Sequence, residues 1–534
     1  MSKIRVASWV IASLTSVAIT SCGGGASESG EAPTTAHHAD RKPAPSASTS
    51  GDPRIIPVGD VPKEIADRTG KILRRASQAR HLEITAAVRL QVLPPAEVVA
   101  VVKKHVTDEV PRSVIVGEGH ALAVLGLIPP DYDYEAESYA LLEDQLAGLY
   151  IPENKTMYLS STVDHDEIDG TLAHELVHAL QDQRWSIGDK MKYRPAASDA
   201  LGAIQALAEG DATSAMFDEM ILEKGGLDAL SQHSALDIPD QDPEEMLKEA
   251  IHGGSASSKR LAKSPRYVAV GLLAPYADGL RFVHGLRRRG GWNAVDEAWK
   301  RPPASGEQLL HLDKYDLNER AIEVATPTAI ALGTSWKLTF DDVLGEEEAR
   351  LAFGDWMDVD QAKRAVAGWG GDHLALFESG GDRAVAWRMV FDNAEEAKEA
   401  FGLLSTGFRA REGSPSFSEA TATRSVFVFG GPRVTAPTKT VRSPPPKKKE
   451  VSKPGALPPL PDASGAGASP KDERASGLPQ LPDATSSSIA ATPKSTATLP
   501  GCRALRMEGA AVTLIAGAPC GVAGRWSEET GKAP

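Results

Sequence analysis

The stretch Thr171-Leu172-Ala173-His174-Glu175-Leu176-Val177-His178-Ala179-Leu180 decides how the rest of this chain is read. Its residues favour a helix, and helical positions four apart share one face, so His174 and His178 can offer two imidazoles to one metal. Glu175, one residue round, reaches a water held there. Ala173, Leu176, Val177, Ala179 and Leu180 make the helix apolar nearly all round, which predicts burial. Two histidines and a glutamate are costly in such a place unless something binds them. The pattern therefore predicts a zinc (Zn2+) centre, in which the metal acidifies water and Glu175 takes the proton as that water attacks a polarised carbonyl. The plainer alternative is a helix whose histidines only pair locally.

A third protein ligand is needed. Gln181 and Arg184 stand where the longer H-E-x-x-H-x-x-G-x-x-H pattern requires glycine and histidine, so that completion is absent. A second helix is expected over residues 200–221, where Leu201, Ile204, Leu207, Ala208, Ala212, Met216 and Met220 are apolar. Within it lies Ala208-Glu209-Gly210-Asp211-Ala212. Glu209 is the expected third ligand, because its small neighbours let another helix approach closely. Asp211 is expected to hydrogen-bond a ligand histidine from behind. Glu219 is the reserve ligand, and a solvated role for Glu209 and Asp211 is the alternative.

These motifs resemble the gluzincin metallopeptidases, which carry H-E-x-x-H on one helix and a glutamate ligand on the next. More narrowly, A-H-E-L-x-H-A-L-Q-D-Q over residues 173–183, followed by E-G-D-A over 209–212, resembles a group of bacterial secreted or lipid-anchored proteins. The likeness continues through residues 274–283, Gly290-Gly291-Trp292 and residues 305–311, well over half of the expected folded part. It implies a zincin-like fold and hydrolysis of peptide bonds by a zinc-dependent metallopeptidase. The shorter His-to-Glu spacing of thermolysin-like enzymes and the G-A-M-E-N segment of aminopeptidases are both missing, so neither specificity carries over. Tyr276 and His311 are the candidates for stabilising an oxyanion, since zinc peptidases commonly set a Tyr, His or Arg opposite the metal. Ordinary packing is the alternative for each.

Upstream, residues 145–151 and 156–160 read as strands joined by the turn Pro152-Glu153-Asn154-Lys155, a β-hairpin before the active-site helix. Such an edge strand pairs with extended substrate in zinc peptidases, or is purely structural. Acidic residues between Asp164 and Asp169 suit the start of a helix.

The amino terminus points to the compartment. Lys3 and Arg5 precede an apolar run over residues 6–19, too short to span a bilayer, which ends in Ile19-Thr20-Ser21-Cys22. Residues 1–21 thus look like a bacterial lipoprotein signal, with Cys22 lipidated. A membrane anchor through that lipid is expected, outside the cytoplasm, at the outer membrane or cell surface; cleavage to a soluble secreted protein is the alternative. Residues 22–53, rich in Ser, Gly, Ala, Thr and Pro, read as a flexible tether.

The expected fold class is α+β. A mainly helical catalytic domain spans residues 54–320, and a smaller α+β module spans 330–435. Gly368-Trp369-Gly370-Gly371-Asp372 lacks the Lys-Ser/Thr of a phosphate loop and reads as a turn. Trp292, Trp299, Trp356, Trp369 and Trp387 read as core anchors. Residues 436–500, rich in Pro, Ser, Ala and Lys, cannot bury a core and are expected to be a disordered, solvated linker; contact of the prolines and Lys447-Lys448-Lys449 with cell-wall polymer or a protein partner is the alternative. Residues 501–525 read as a hairpin that completes the module, and Cys502 and Cys520 are expected to form a disulfide in an exported chain. A net charge of -14 disfavours nucleic acid as a partner. A peptide or protein substrate is the leading expectation. The alternatives are hydrolysis of cell-wall peptides and a surface binding or assembly lipoprotein that keeps a zinc-bound peptidase-like fold without turnover.

Overall fold

The computed structural model describes residues 52–162, 168–252, 256–421, 424–430 and 501–531. The signal segment, Cys22, the tether through residue 51 and residues 436–500 lie outside the described residues. The described residues form a mixed α/β protein with two sheets. No described helix is long and apolar enough to cross a membrane.

The smaller sheet has strand order β1-β2-β4-β3, where β1 is Ile55–Pro57, β2 Val88–Leu93, β3 Gly148–Ile151 and β4 Thr156–Ser160. β1 runs parallel to β2 and β2 parallel to β4, as a helical crossover (Lys63–Arg80) between the first two strands requires. β3 turns back antiparallel to β4, pairing Gly148 with Leu159 and Ile151 with Thr156, and is left at the sheet edge. Lys155 takes φ 56° to close the turn between them.

The H-E-x-x-H stretch lies on a helix spanning Ile168–Trp185, buried from Thr171 to Asp182. Leu172, Leu176 and Leu180 pack with Leu73, Leu90, Leu159 and Leu207 in one core. Beside it runs a long helix, Ser198–Gln232, interrupted at Gly226 where φ is 66°. A third, Arg266–Lys300, contains Pro275 and kinks at Gly290 and Gly291. The last two meet backbone to backbone. A Cβ on Gly210 would stand 2.1 Å from the carbonyl carbon of Gly279, and one on Gly279 would stand 1.9 Å from the Ala206 oxygen. Glycine at both positions is what lets these helices cross at the turn that carries Glu209.

The larger sheet is antiparallel throughout, in the order β5-β6-β7-β11-β10-β9-β8. Its strands are β5 (Lys337–Asp342), β6 (Trp369–Ser379), β7 (Asp382–Phe391), β8 (Phe417–Ala420), β9 (Arg424–Phe429), β10 (Cys502–Glu508) and β11 (Ala511–Ala518). The late hairpin is therefore inserted at the centre, between β7 and β9, and not added at an edge. Period-two alternation sorts the faces. Leu374, Leu376, Trp387 and Leu514 enter one core, while Phe377, Ala386 and Ile515 enter another with Trp526. Past β11 the chain forms a helix, Cys520–Gly531, that buries Ala523, Trp526 and Thr530 at helical spacing, so the hairpin reading stops short of residue 525. Cys502 and Cys520 are joined by a disulfide.

Two expectations need correcting. Residues 369–372 belong to β6, not to a turn; only Gly368, at φ 79°, turns. Gly371 is glycine because the Ile322 carbonyl oxygen lies 2.1 Å from where its Cβ would be, and Asp372 accepts from the amides of Leu344 and Gly345 and from the Trp387 indole. Nor does the packing follow the sequential division near residue 320. Val98, Leu125, Leu142, Tyr267 and Leu273 share a core with Phe353, Trp356, Trp387 and Leu514. The helices carrying the earlier residues cover the larger sheet, while the H-E-x-x-H helix belongs to the other core. All five tryptophans named above are buried.

Candidate metal centre

His174 and His178 stand one turn apart with ring centroids 4.8 Å from each other and planes nearly perpendicular, at 83°. Their Nε2 atoms are 3.1 Å apart. Glu209 Oε2, from the neighbouring helix, lies 3.0 Å from His174 Nε2 and 3.5 Å from His178 Nε2. All three side chains are buried. Ligands held about 2.0–2.1 Å from a tetrahedral zinc lie about 3.3 Å from one another, so the separations of this donor set fit that ion. Charge sorts in the same direction. Burial disfavours a carboxylate at Glu209, but the His178 charge and hydrogen bonds from both imidazoles hold its pKa down to about 2. Burial likewise opposes a proton on His178, yet Glu209 outweighs it and lifts that pKa to about 9. His174 is lowered, chiefly by burial.

Glu175 is fully buried beside them. Its Oε2 accepts the Tyr150 amide of β3 at 2.7 Å, whereas Oε1 has no hydrogen-bond partner among the described residues. Burial raises its pKa well above the carboxylate range, against the partial opposition of the His178 charge. β3 is fastened to the same helix a second time: Asp182 accepts from the Tyr150 hydroxyl at 2.9 Å and from Lys155. A cleft opens here, with Leu149 to Ile151 of β3, Pro152, His178 and Glu209 along it and Ile187, Met191 and His105 as walls.

Tyr276 is buried with its ring 5.9 Å from that of His174, one turn before the Gly279 crossing. His311 is not brought to the cluster. Its Nε2 lies 3.0 Å from both oxygens of Glu346, at the start of the helix Gly345–Trp356, and that carboxylate raises its pKa. Asp211 also departs from expectation. It receives Arg80 and the Trp299 indole, the latter at 2.7 Å, and not a ligand histidine. Two residues after Glu209 on a helix is a rotation of about 200°, so the side chains leave opposite faces. Arg80 and Asp211 are both fully buried, and Asp296 also reaches Arg80 at 2.8 Å. Glu219, the reserve ligand, pairs with Arg75 at 2.6 Å and is lifted to about 7 by burial.

Two residues of the site escaped the sequence reading. Gln181 accepts from His178 Nδ1 at 2.8 Å and donates to the Ala208 carbonyl at 3.1 Å. Its signal was its position three residues after His178, on the same helix face. His105 comes from the helix Pro95–Glu109, far away in sequence, and no local pattern marks it.

Among known families, the model of a domain of unknown function, DUF8575, matches residues 337–435. That span contains β5 to β9 and none of the metal-ligand candidates. No curated protein matches the chain. No solved structure matches it either.

Proposed function

We propose that this chain is a zinc-dependent metallopeptidase of the gluzincin type, with a zincin-like catalytic region, exported and held to the bacterial cell envelope by a lipid on Cys22. The observation that carries the reading is the convergence of His174, His178 and Glu209 next to a buried Glu175 side chain with one oxygen left without a partner among the described residues. Zinc held by these donors would supply Lewis acidity, lowering the pKa of water and polarising a carbonyl. The residues do the rest. The Tyr150 amide holds Glu175 Oε2, which leaves Oε1 to take a proton from the attacking water and later to pass it to the leaving amine. β3, a sheet edge along the cleft, supports pairing with an extended peptide backbone. Tyr276, beside His174, is the residue we assign to the developing oxyanion.

The test pairs zinc content with hydrolysis of a broad peptide library. Glu175→Gln should keep zinc and lose roughly 10²–10⁴-fold in rate, the usual worth of a general base. His174→Ala should lose both. A Glu175→Gln protein that cleaves the library as fast as its parent would overturn the assignment.

A further inference from the structure

We propose that Gln181 is a positioning residue that sets the metal affinity of the centre by fixing which nitrogen of His178 faces the donor set. This rests on the metal reading above and adds a residue to it.

Gln181 is fully buried, and both ends of its side chain are engaged. The Ala208 carbonyl can only accept, so the end of the amide that meets it, 3.1 Å away, must be the NH2 group. The oxygen end is thereby turned to His178 Nδ1, 2.8 Å away. An amide oxygen can only accept, so Nδ1 must carry a proton. In a metal-ligating imidazole the lone pair is then on Nε2, the atom that stands 3.1 Å from His174 Nε2 and 3.5 Å from Glu209 Oε2. The wrong tautomer would put two acceptors against each other in a buried site. The other end orients the amide. Ala208 is the residue before Glu209, so the same side chain ties the histidine helix to the carboxylate helix at the ligand-bearing turn. A purely structural glutamine could make one of these bonds. Making both, one to His178 itself and one on the neighbouring helix to the residue before Glu209, couples the orientation of His178 to the placement of Glu209.

The experiment uses the full chain and two substitutions. Gln181→Met keeps the volume and removes both bonds. Gln181→Glu keeps an acceptor for Nδ1 and gives up the donor to Ala208. Zinc affinity is read by competition with a chelating dye, the cobalt-substituted protein by its visible absorption, and the metal-free fold by thermal unfolding. Gln181→Met should bind zinc about 10–100-fold more weakly, the typical effect of losing an outer-shell partner, and should shift the cobalt spectrum. Gln181→Glu, which keeps the acceptor for Nδ1 but loses the tie to Ala208, should bind more tightly than Gln181→Met and within tenfold of the parent. Equal affinity and an identical cobalt spectrum for parent and Gln181→Met would overturn the proposal. So would a tenfold loss in Gln181→Glu, which stands as a test even if Gln181→Met does not fold. A parent that takes up no zinc would overturn the metal reading itself, and this assignment with it.

Discussion

Replacing Gly210 by alanine should damage the metal centre without touching a ligand. The new Cβ would lie 2.1 Å from both the carbonyl carbon and the oxygen of Gly279 and 2.6 Å from the Leu280 nitrogen. Carbon atoms rest about 3.5 Å apart, so the helices must separate by roughly 1.4 Å at this crossing. The obstacle is main chain, and no rotamer change relieves it. Alanine in a helix is favoured over glycine by about 1 kcal/mol, but overpacking a buried contact costs about 1–3 kcal/mol, and a backbone clash belongs at or above the upper end. The net expectation is about 2 kcal/mol lost. Because Glu209 is the adjacent residue, the same shift carries its carboxylate away from a donor set whose members are only 3.0–3.5 Å apart. Zinc affinity should fall tenfold or more, since about 1.4 kcal/mol suffices for that. Urea denaturation of the metal-free protein and a zinc competition titration read the two effects. Gly279→Ala should behave alike, with its Cβ 1.9 Å from the Ala206 oxygen. Gly170→Ala is the control, because its Cβ would meet only the Met216 sulfur at 4.0 Å. If Gly210→Ala matched its parent in both stability and zinc affinity, the crossing would not be what holds Glu209 in place.

Zinc uptake should depend on pH with a definite sign. In the metal-free chain the Glu209 charge lifts His178 to about 9, so that imidazole carries a proton at neutral pH, whereas burial lowers His174. Zinc must displace the His178 proton, and the proton competes less as pH rises, so apparent affinity should climb about tenfold per pH unit until about pH 9. A flat profile, after correction for the competing dye, would refute the Glu209–His178 coupling. The disulfide gives a separate expectation. Cys502 and Cys520 lie 18 residues apart and join the start of β10 to the start of the terminal helix. Removing a link across so short a loop should cost about 3 kcal/mol. Denaturation midpoints with and without reductant measure it, and coincident curves would show that the sheet does not depend on the link.

The candidate centre was legible where its geometry is local. His174, Glu175 and His178 are arranged by the helical repeat alone, and an apolar helix with two buried histidines announces a ligand need. The small neighbours of Glu209 similarly advertised a close crossing, though not that Gly279 is the partner. Asp211 failed for a reason of the same kind: the motif E-G-D-A records adjacency along the chain, while a rotation of about 200° decides which side chain meets which neighbour. His311 was misread because Glu346 comes from a later segment. The late hairpin was legible in the sequence, but not that it enters the middle of the sheet, since strand order depends on pairings between distant residues.

By itself, then, the sequence determined which side chains are the candidate metal ligands, the helix that carries the first two, and the helix periods. Only the tertiary structure decided that Arg80 claims Asp211, that Gln181 joins His178 to Ala208, and that one core runs through both halves of the chain. The physical reason is that periodicity is a property of neighbours along the backbone. The partner of a buried polar group is chosen by close packing and by the cost of leaving it without a hydrogen bond, which are settled across the whole fold.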